Sequence, residues 1–123
     1  MKPKKLIYII DDDEKMSACL ARILKSENFL VKTFSNIPEV MPALDENPLP
    51  NLIFLDILLP AFDGFSFLNE IASYPDTMKI PIIIVSSLDF KKKDLKIYGV
   101  KGILKKEEMT PKEIITYAKR YTN

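Results

Sequence analysis

Asp11 and Asp12 stand directly after the apolar run Leu6–Ile10, and Asp56 directly after Leu52–Leu55. Ser86 follows the run that ends at Val85, and Lys105 and Lys106 follow Gly102–Leu104. Each is a polar group placed where a hydrophobic run ends. Singly they have ordinary readings; Asp56 alone reads as a loop residue or a helix cap. Together they suggest one chemistry. Three carboxylates brought close repel one another, and a divalent cation relieves this. Hard oxygen ligands suit Mg²⁺, which takes one or two carboxylates, waters and a phosphate oxygen. A free carboxylate beside such an ion is a nucleophile toward phosphorus. The ion, a Lys ammonium from Lys105 or Lys106, and a hydroxyl could hold the three equatorial oxygens of a phosphoryl group in transfer. The chemistry suggested is phosphorylation of an aspartate.

The elements that must gather these groups are legible as alternating runs. Leu52–Leu55 does not alternate polar with apolar, so it reads as a strand buried on both faces. Pro60 stops it, and Gly64 permits a tight turn before the next helix. Leu6–Ile10, Phe29–Phe34, Ile80–Val85 and Gly102–Lys105 supply four more strands, with Pro81 tolerable near a strand start. Asp13 caps a helix whose apolar face is Met16, Leu20, Ile23 and Leu24. From Asn36 to Glu46 a short or kinked helix is expected, with Pro38 in its first turn and Pro42 disturbing it. Gly64–Ser73 is helical with Phe65, Leu68, Ile71 and Ala72 on one side. Asp89 is expected to cap a short helix through Lys91–Tyr98, stopped by Gly99. Thr110-Pro111-Lys112-Glu113 is a capping box with Pro at the first helical position, starting a helix with Ile114, Ile115, Ala118 and Tyr121. Strands alternating with helices imply an α/β fold, a doubly wound five-stranded parallel sheet, with few topologies allowed by right-handed crossovers. Chemistry in such sheets lies beyond the carboxyl ends of the strands.

A chain of 123 residues with 47% hydrophobic content suits one domain, here residues 1–123. Eighteen Lys and Arg against seventeen Asp and Glu leave no charge bias toward nucleic acid or membrane. The single Cys19 cannot form an internal disulfide, which fits a reducing compartment, and it reads as a small core residue. No run suits a signal peptide or a bilayer span, so a cytoplasmic location is expected. With no histidine in the chain, none can act as base, ligand or phosphoryl donor.

In order and spacing these residues resemble a receiver domain of the two-component response-regulator family, from about Lys4 to Tyr121. The resemblance rests on the Asp11-Asp12 pair, Asp56-x-x-x-Pro60-x-x-x-Gly64, Ser86-Ser87, and Lys106 seven residues beyond Gly99. Asp12 to Asp56 is 44 residues and Asp56 to Ser86 is 30. The resemblance implies a flavodoxin-like fold with strand order 2-1-3-4-5. It implies that Asp56 accepts a phosphoryl group from a histidine of a sensor kinase or histidine phosphotransfer protein. Asp12 and Asp56 would bind Mg²⁺ (or Mn²⁺) directly, Asp11 through water, and the backbone carbonyl of Leu58 would be a further ligand. Ser86 would hydrogen-bond the phosphoryl group, Lys106 would pair with it, and small Ser87 would keep the pocket accessible. Asp13 remains a cap, and Lys105 points away, because strand neighbours face opposite sides. The chain would be a switch rather than an enzyme, assisting only its own phosphotransfer and slow self-dephosphorylation.

The sequence departs from the family pattern in three places. Ile103 fills the strand-five position usually taken by a switching aromatic. Glu107 replaces the usual cis-proline, and a trans peptide is expected, since a cis bond here costs about 2.5–4 kcal/mol. The segment from Ser86 to Gly99 is short, so the fourth helix should be short or irregular. All three fall on the face formed by helix four, strand five and helix five, which in the family carries output to a protein target. Leu58 and Leu88, two residues past Asp56 and Ser86, cannot orient water, which predicts slow self-dephosphorylation. A single receiver domain without an output domain is expected, as a monomer or a weak phosphorylation-dependent dimer. The competing reading is a receiver-like interaction module that acts without phosphorylation. A flavin protein would want phosphate-cradling residues where Asp11–Glu14 stand, and a haloacid-dehalogenase-type phosphatase would want Asp where Leu58 stands. The Lys91-Lys92-Lys93 run reads as a solvated helix face or as a docking patch for an acidic partner.

Overall fold

The computed structural model describes residues 3–46, 48–57, 64–89 and 91–123. In chain order the elements are β1 (Leu6–Ile10), α1 (Glu14–Ser26), β2 (Leu30–Phe34), α2 (Ile37–Leu44), β3 (Leu52–Leu55), α3 (Gly64–Ala72), β4 (Ile82–Ser86), α4 (Lys92–Leu95), β5 (Val100–Lys105) and α5 (Pro111–Tyr121). All strand pairs are parallel, in the order β2-β1-β3-β4-β5. This is the doubly wound fold expected.

Alternation along the strands splits the core into two layers. Tyr8 and Ile10, Ile53 and Leu55, Ile82 and Ile84 point to one face, where Val40, Phe67, Leu68 and Ile71 cover them. Ile7 and Ile9, Leu52 and Phe54, Ile83 and Val85 point to the other, under Leu20, Leu24, Ile114 and Ala118. Burying each such side chain stabilises the fold by about 1.5–3 kcal/mol. β5 breaks the alternation: Ile82 pairs with Val100 but Ile83 pairs with Gly102, so Lys101 is an extra residue, a bulge. Because of it Val100 and Ile103 pack on the same layer while Leu104 joins the other.

The helices start where their caps require. The Asp13 carboxylate accepts from the Lys15 and Met16 N–H groups, Asn36 caps α2, and Thr110 and Glu113 cap each other's backbone at α5. Such a cap contributes about 1 kcal/mol. Pro38 lies in the first turn of α2 and Pro42 inside it, and the helix ends after eight residues. Gly64 is required by proximity: a Cβ there would lie 2.5 Å from the Ile57 carbonyl oxygen. Gly99 ends the fourth helical segment with a left-handed φ of 80°.

Several expectations need correction. Cys19 is exposed, not in the core; α1 buries Ser17, Leu20, Ala21 and Leu24, and position 19 falls off that stripe. In α3 it is Phe67 that is buried beside Leu68 and Ile71, while Phe65 is half-buried and meets the Tyr98 ring edge-on at 6.3 Å. Asp89 caps no helix. α4 begins after Lys91 with no side-chain cap and continues as a 3-10 turn, Lys96–Tyr98; Asp89 instead pairs with Lys105 at 3.2 Å. The fourth helix is thus short and irregular, as expected. Pro60 lies outside the described residues. Among the described residues no helix is long and apolar enough to cross a membrane.

Candidate functional site

Sheet register builds the site. Ile10 lies opposite Leu55, so the next residues, Asp11 and Asp56, emerge side by side. Backbone bonding continues past the strands: the Asp56 N–H donates to the Ile10 carbonyl at 2.9 Å, and the Asp11 N–H to the Phe34 carbonyl at 3.0 Å. Asp11 and Asp56 are buried, 2% and 6% exposed, while Asp12 is exposed at the rim. One carboxylate oxygen from each of Asp11, Asp12 and Asp56 lies within 4.8 Å of the other two.

Asp11 is held on both sides. Its Oδ1 accepts the Asp13 N–H at 2.9 Å, and the Ser17 hydroxyl donates to its carbonyl at 3.4 Å. Asp13 itself is occupied as the cap of α1. Lys106 places its ammonium between the two buried carboxylates, 3.1 Å from Asp56 Oδ2 and 3.0 Å from Asp11 Oδ2. The contact with Asp56 is a hydrogen bond. The contact with Asp11 Oδ2 is an ion pair without hydrogen-bond alignment, so that buried oxygen has no aligned donor. Burial pushes the Asp11 carboxyl above its usual range, outweighing the Asp13 N–H and Lys106. Burial pulls on the Lys106 ammonium in the opposite sense, but the carboxylates of Asp11 and Asp56 outweigh it and hold it above its usual value.

A buried carboxylate oxygen lacking an aligned donor, beside two more carboxylates, is a donor set of hard oxygens. It fits Mg²⁺ or Mn²⁺ and does not resemble the thiolate and imidazole sets of softer metals. Leu58, whose backbone carbonyl is the further ligand expected, lies outside the described residues.

Ser86 ends β4 fully buried, and its Oγ accepts the Leu88 N–H at 3.1 Å. The Lys106 N–H donates to the Ser86 carbonyl at 3.0 Å, which ties the loop after β4 to the loop after β5. Ser87 is exposed. Its hydroxyl donates to the Glu107 carboxylate and holds that group below the usual carboxylate range. Of the two lysines at the end of β5, Lys106 enters the carboxylate cluster and Lys105 turns away to Asp89. Ile103 is half-buried against the layer covered by α2 and α3. Ser17 is a site neighbour that the sequence reading passed over. Its signal was a small polar residue at a buried position of α1, six residues beyond Asp11.

Two surface grooves border the cluster. One, about 610 Å³ between α1 and β2, touches it only at Asp11 and is otherwise lined by residues such as Ser17, Ala21, Arg22 and Thr33. The other, about 330 Å³ between α1 and the start of α5, is lined by Met16, Cys19, Ile23, Met109 and Ile114, and reaches Lys106. The first meets the cluster at Asp11 and the second at Lys106.

Residues 7–119 match the family described as response regulator receiver domain. The response regulator PleD of Caulobacter vibrioides is 31% identical over 83 residues, covering 68% of this chain and 18% of PleD. The chain therefore spans about a fifth of that curated relative's length. A putative response regulator from Chloroflexus aurantiacus superposes with a TM-score of 0.85 at 22% identity, covering 98% of each chain. The Mn²⁺-bound form of the response regulator Rcp1 superposes with a TM-score of 0.73 at 24% identity, over 91% of this chain and 88% of that one.

Proposed function

Since this chain belongs to the response regulator receiver domain family of two-component systems, we propose that it is a phosphoryl-accepting switch in which Asp56 takes the group from a partner histidine. The observation that carries this reading is the clustering of carboxylate oxygens of Asp11, Asp12 and Asp56 within 4.8 Å of one another, with the Lys106 ammonium against Asp11 and Asp56. An Asp56 carboxylate oxygen forms the new bond to phosphorus as the phosphorus–nitrogen bond of a phosphohistidine breaks. The electron pair stays on the imidazole nitrogen, which then takes up a proton. Lys106, already 3.1 Å from Asp56, keeps its positive charge beside the transferred oxygens. Ser86 is next to Lys106 through the backbone, and its hydroxyl, whose oxygen accepts the Leu88 N–H, keeps its own O–H to donate to a phosphoryl oxygen. Asp12 and Asp56 would hold Mg²⁺ or Mn²⁺, with Asp11 acting through water and the Leu58 carbonyl as a further ligand. The cation would supply charge neutralisation among the carboxylates and the phosphoryl oxygens. The manganese-bound Rcp1 structure supports that choice of ion.

The groove of Met16, Cys19, Ile23, Met109 and Ile114 gives a donor protein an apolar approach that ends at Lys106. We place the chain in the cytoplasm, where such donors work, and assign its output to protein contacts rather than to nucleic acid or membrane. The reading is tested by treating the protein with Mg²⁺ and acetyl phosphate and measuring its mass. A single added phosphoryl group is expected, lost with Asp56→Asn or with EDTA. Modification that persists in Asp56→Asn would overturn the assignment of Asp56. Ile103, where the family pattern has a switching aromatic, favours a second reading, a module that acts without phosphorylation. A wild-type protein that takes up no phosphoryl group, and no beryllofluoride, would establish that reading instead.

A further inference from the structure

Helices α2 and α3 run back from the carboxyl edge of the sheet, so their C-terminal ends lie at the edge opposite Asp56. There they enclose a groove that the phosphoryl chemistry does not use. Its volume is about 340 Å³, and Met41, Leu44, Ile71 and Tyr74 form its apolar walls. The turn that closes it is held in place: the buried Thr77 hydroxyl donates to the Ile71 carbonyl at 2.7 Å, and the Met78 N–H donates to the Tyr74 carbonyl at 2.8 Å. Tyr74 and Met78 are each 55% exposed. A single exposed apolar side chain is common; two in one turn beside an apolar groove make a patch. Asp45, Glu70 and Asp76 line the same groove, all exposed, and no lysine or arginine lines it. Among the described residues none of the three forms an ion pair. Both helices also end without a basic residue in the last turn, whereas α1 ends with Lys25 and α5 with Lys119 and Arg120. A helix C-terminus carries partial negative charge, so two uncompensated helix ends add to the three carboxylates.

We infer that this groove docks a basic amphipathic segment of a partner protein: Lys or Arg side chains on the partner meet Asp45, Glu70 and Asp76, and an apolar side chain packs on Tyr74 and Met78. Charge complementarity selects the occupant, because three carboxylates line the groove and no cation does. A single metal ion does not fit: among the described residues, the acidic groups close enough to share one are Asp11, Asp12 and Asp56. A nucleic acid or an anionic membrane would be repelled. The chain carries a formal net charge of +1, so the attraction to a cation is local to the groove rather than global. The proposal goes beyond the phosphoryl-accepting reading and does not depend on it, since the groove lies at the other edge of the sheet and is formed without a phosphoryl group.

The test uses the full chain without Mg²⁺ or a phosphoryl donor, so failure of phosphorylation cannot affect it. The probe is a fluorescein-labelled amphipathic helical peptide of Lys, Ala and Leu, followed by anisotropy and compared with the same peptide carrying Gln for Lys. The Lys peptide should bind, the Gln peptide should bind at least about tenfold more weakly, and added salt should weaken the interaction. The triple variant Asp45→Asn, Glu70→Gln, Asp76→Asn should weaken binding at least about tenfold while its far-ultraviolet circular dichroism stays native. Met78→Ser should weaken binding about threefold. In NMR spectra the unlabelled peptide should shift the amides of α2's last turn and of the turn after α3. The proposal is overturned if the Lys peptide does not bind, if the triple variant binds it equally well, or if the shifted amides centre on Asp11, Asp12 and Asp56 instead. It is also overturned if spermidine binds as tightly as the peptide, since a small polycation would then be the occupant. Sedimentation showing a dimer of this chain that the triple variant dissolves would overturn it too, because the groove would then belong to a second copy.

Discussion

Lys106 is a clamp between Asp11 and Asp56, and its attachment to both explains why a buried acidic pair is tolerated before any cation binds. The pair beside it, Lys105 with Asp89, is exposed and of little energetic weight. Residue types alone offer two adjacent lysines; the family resemblance and strand alternation point to Lys106, and the structure has Lys106 on Asp11 and Asp56 and Lys105 on Asp89. Leu88 bears on the lifetime of an aspartyl phosphate. It is 48% exposed beside Ser86 and has no group with which to orient an attacking water. The phosphorylated protein, freed of acetyl phosphate by rapid desalting, should therefore lose its phosphoryl group over minutes or longer. A half-life of seconds, followed by mass spectrometry, would remove this role from Leu88. Leu58, which carried the other half of that expectation, lies outside the described residues.

The apolar groove between α1 and the start of α5 yields a prediction through the exposed Cys19 on its wall. Alkylating Cys19 with N-ethylmaleimide should slow phosphotransfer from a histidine-bearing protein donor by about tenfold while leaving the reaction with acetyl phosphate unchanged; blocking docking alone separates the two donors. Equal slowing of both reactions, or of neither, would show that this groove is not the donor's path. Cys19 was read as a core residue because its type is so often buried; the stripe through Ser17, Leu20, Ala21 and Leu24 overrides that tendency. The strongly periodic pieces were the legible ones: the apolar strands, the Thr110–Glu113 capping box and the Gly99 stop. The segment from Ser87 to Lys91 was not. Asp89 satisfies the composition of a helix cap, yet it answers Lys105, whose proximity depends on β4 and β5 being neighbours.

Two long-range effects decide the character of the complete fold. Strand order and the carboxyl-edge position of the cluster followed from alternating runs and from the family resemblance, whereas the bulge at Lys101 had no mark in the sequence beyond a lysine in a short strand. The same architecture sets the stability of the metal-free protein. A carboxyl whose folded value is raised, as for Asp11, contributes stability below the unfolded value, and that contribution is lost as pH rises through the folded value. At neutral pH the buried charge is therefore a liability. Asp11→Asn should raise the melting temperature of the metal-free protein by about 4 °C, on the order of 1 kcal/mol. The gap should close below the carboxylate range, and Mg²⁺ should bind the variant more weakly. Calorimetry with EDTA and then with Mg²⁺ checks both signs; a lower melting temperature in EDTA would mean that the Asp11–Lys106 ion pair outweighs desolvation.

The bond from the Lys106 N–H to the Ser86 carbonyl has one more effect. It yokes the two loops, so a pull on the serine tows the lysine and the end of the fifth strand with it unless a contact worth about 1 kcal/mol is given up. With isoleucine at position 103, that backbone tether leaves a mechanical link between pocket and outer edge that needs no swinging ring.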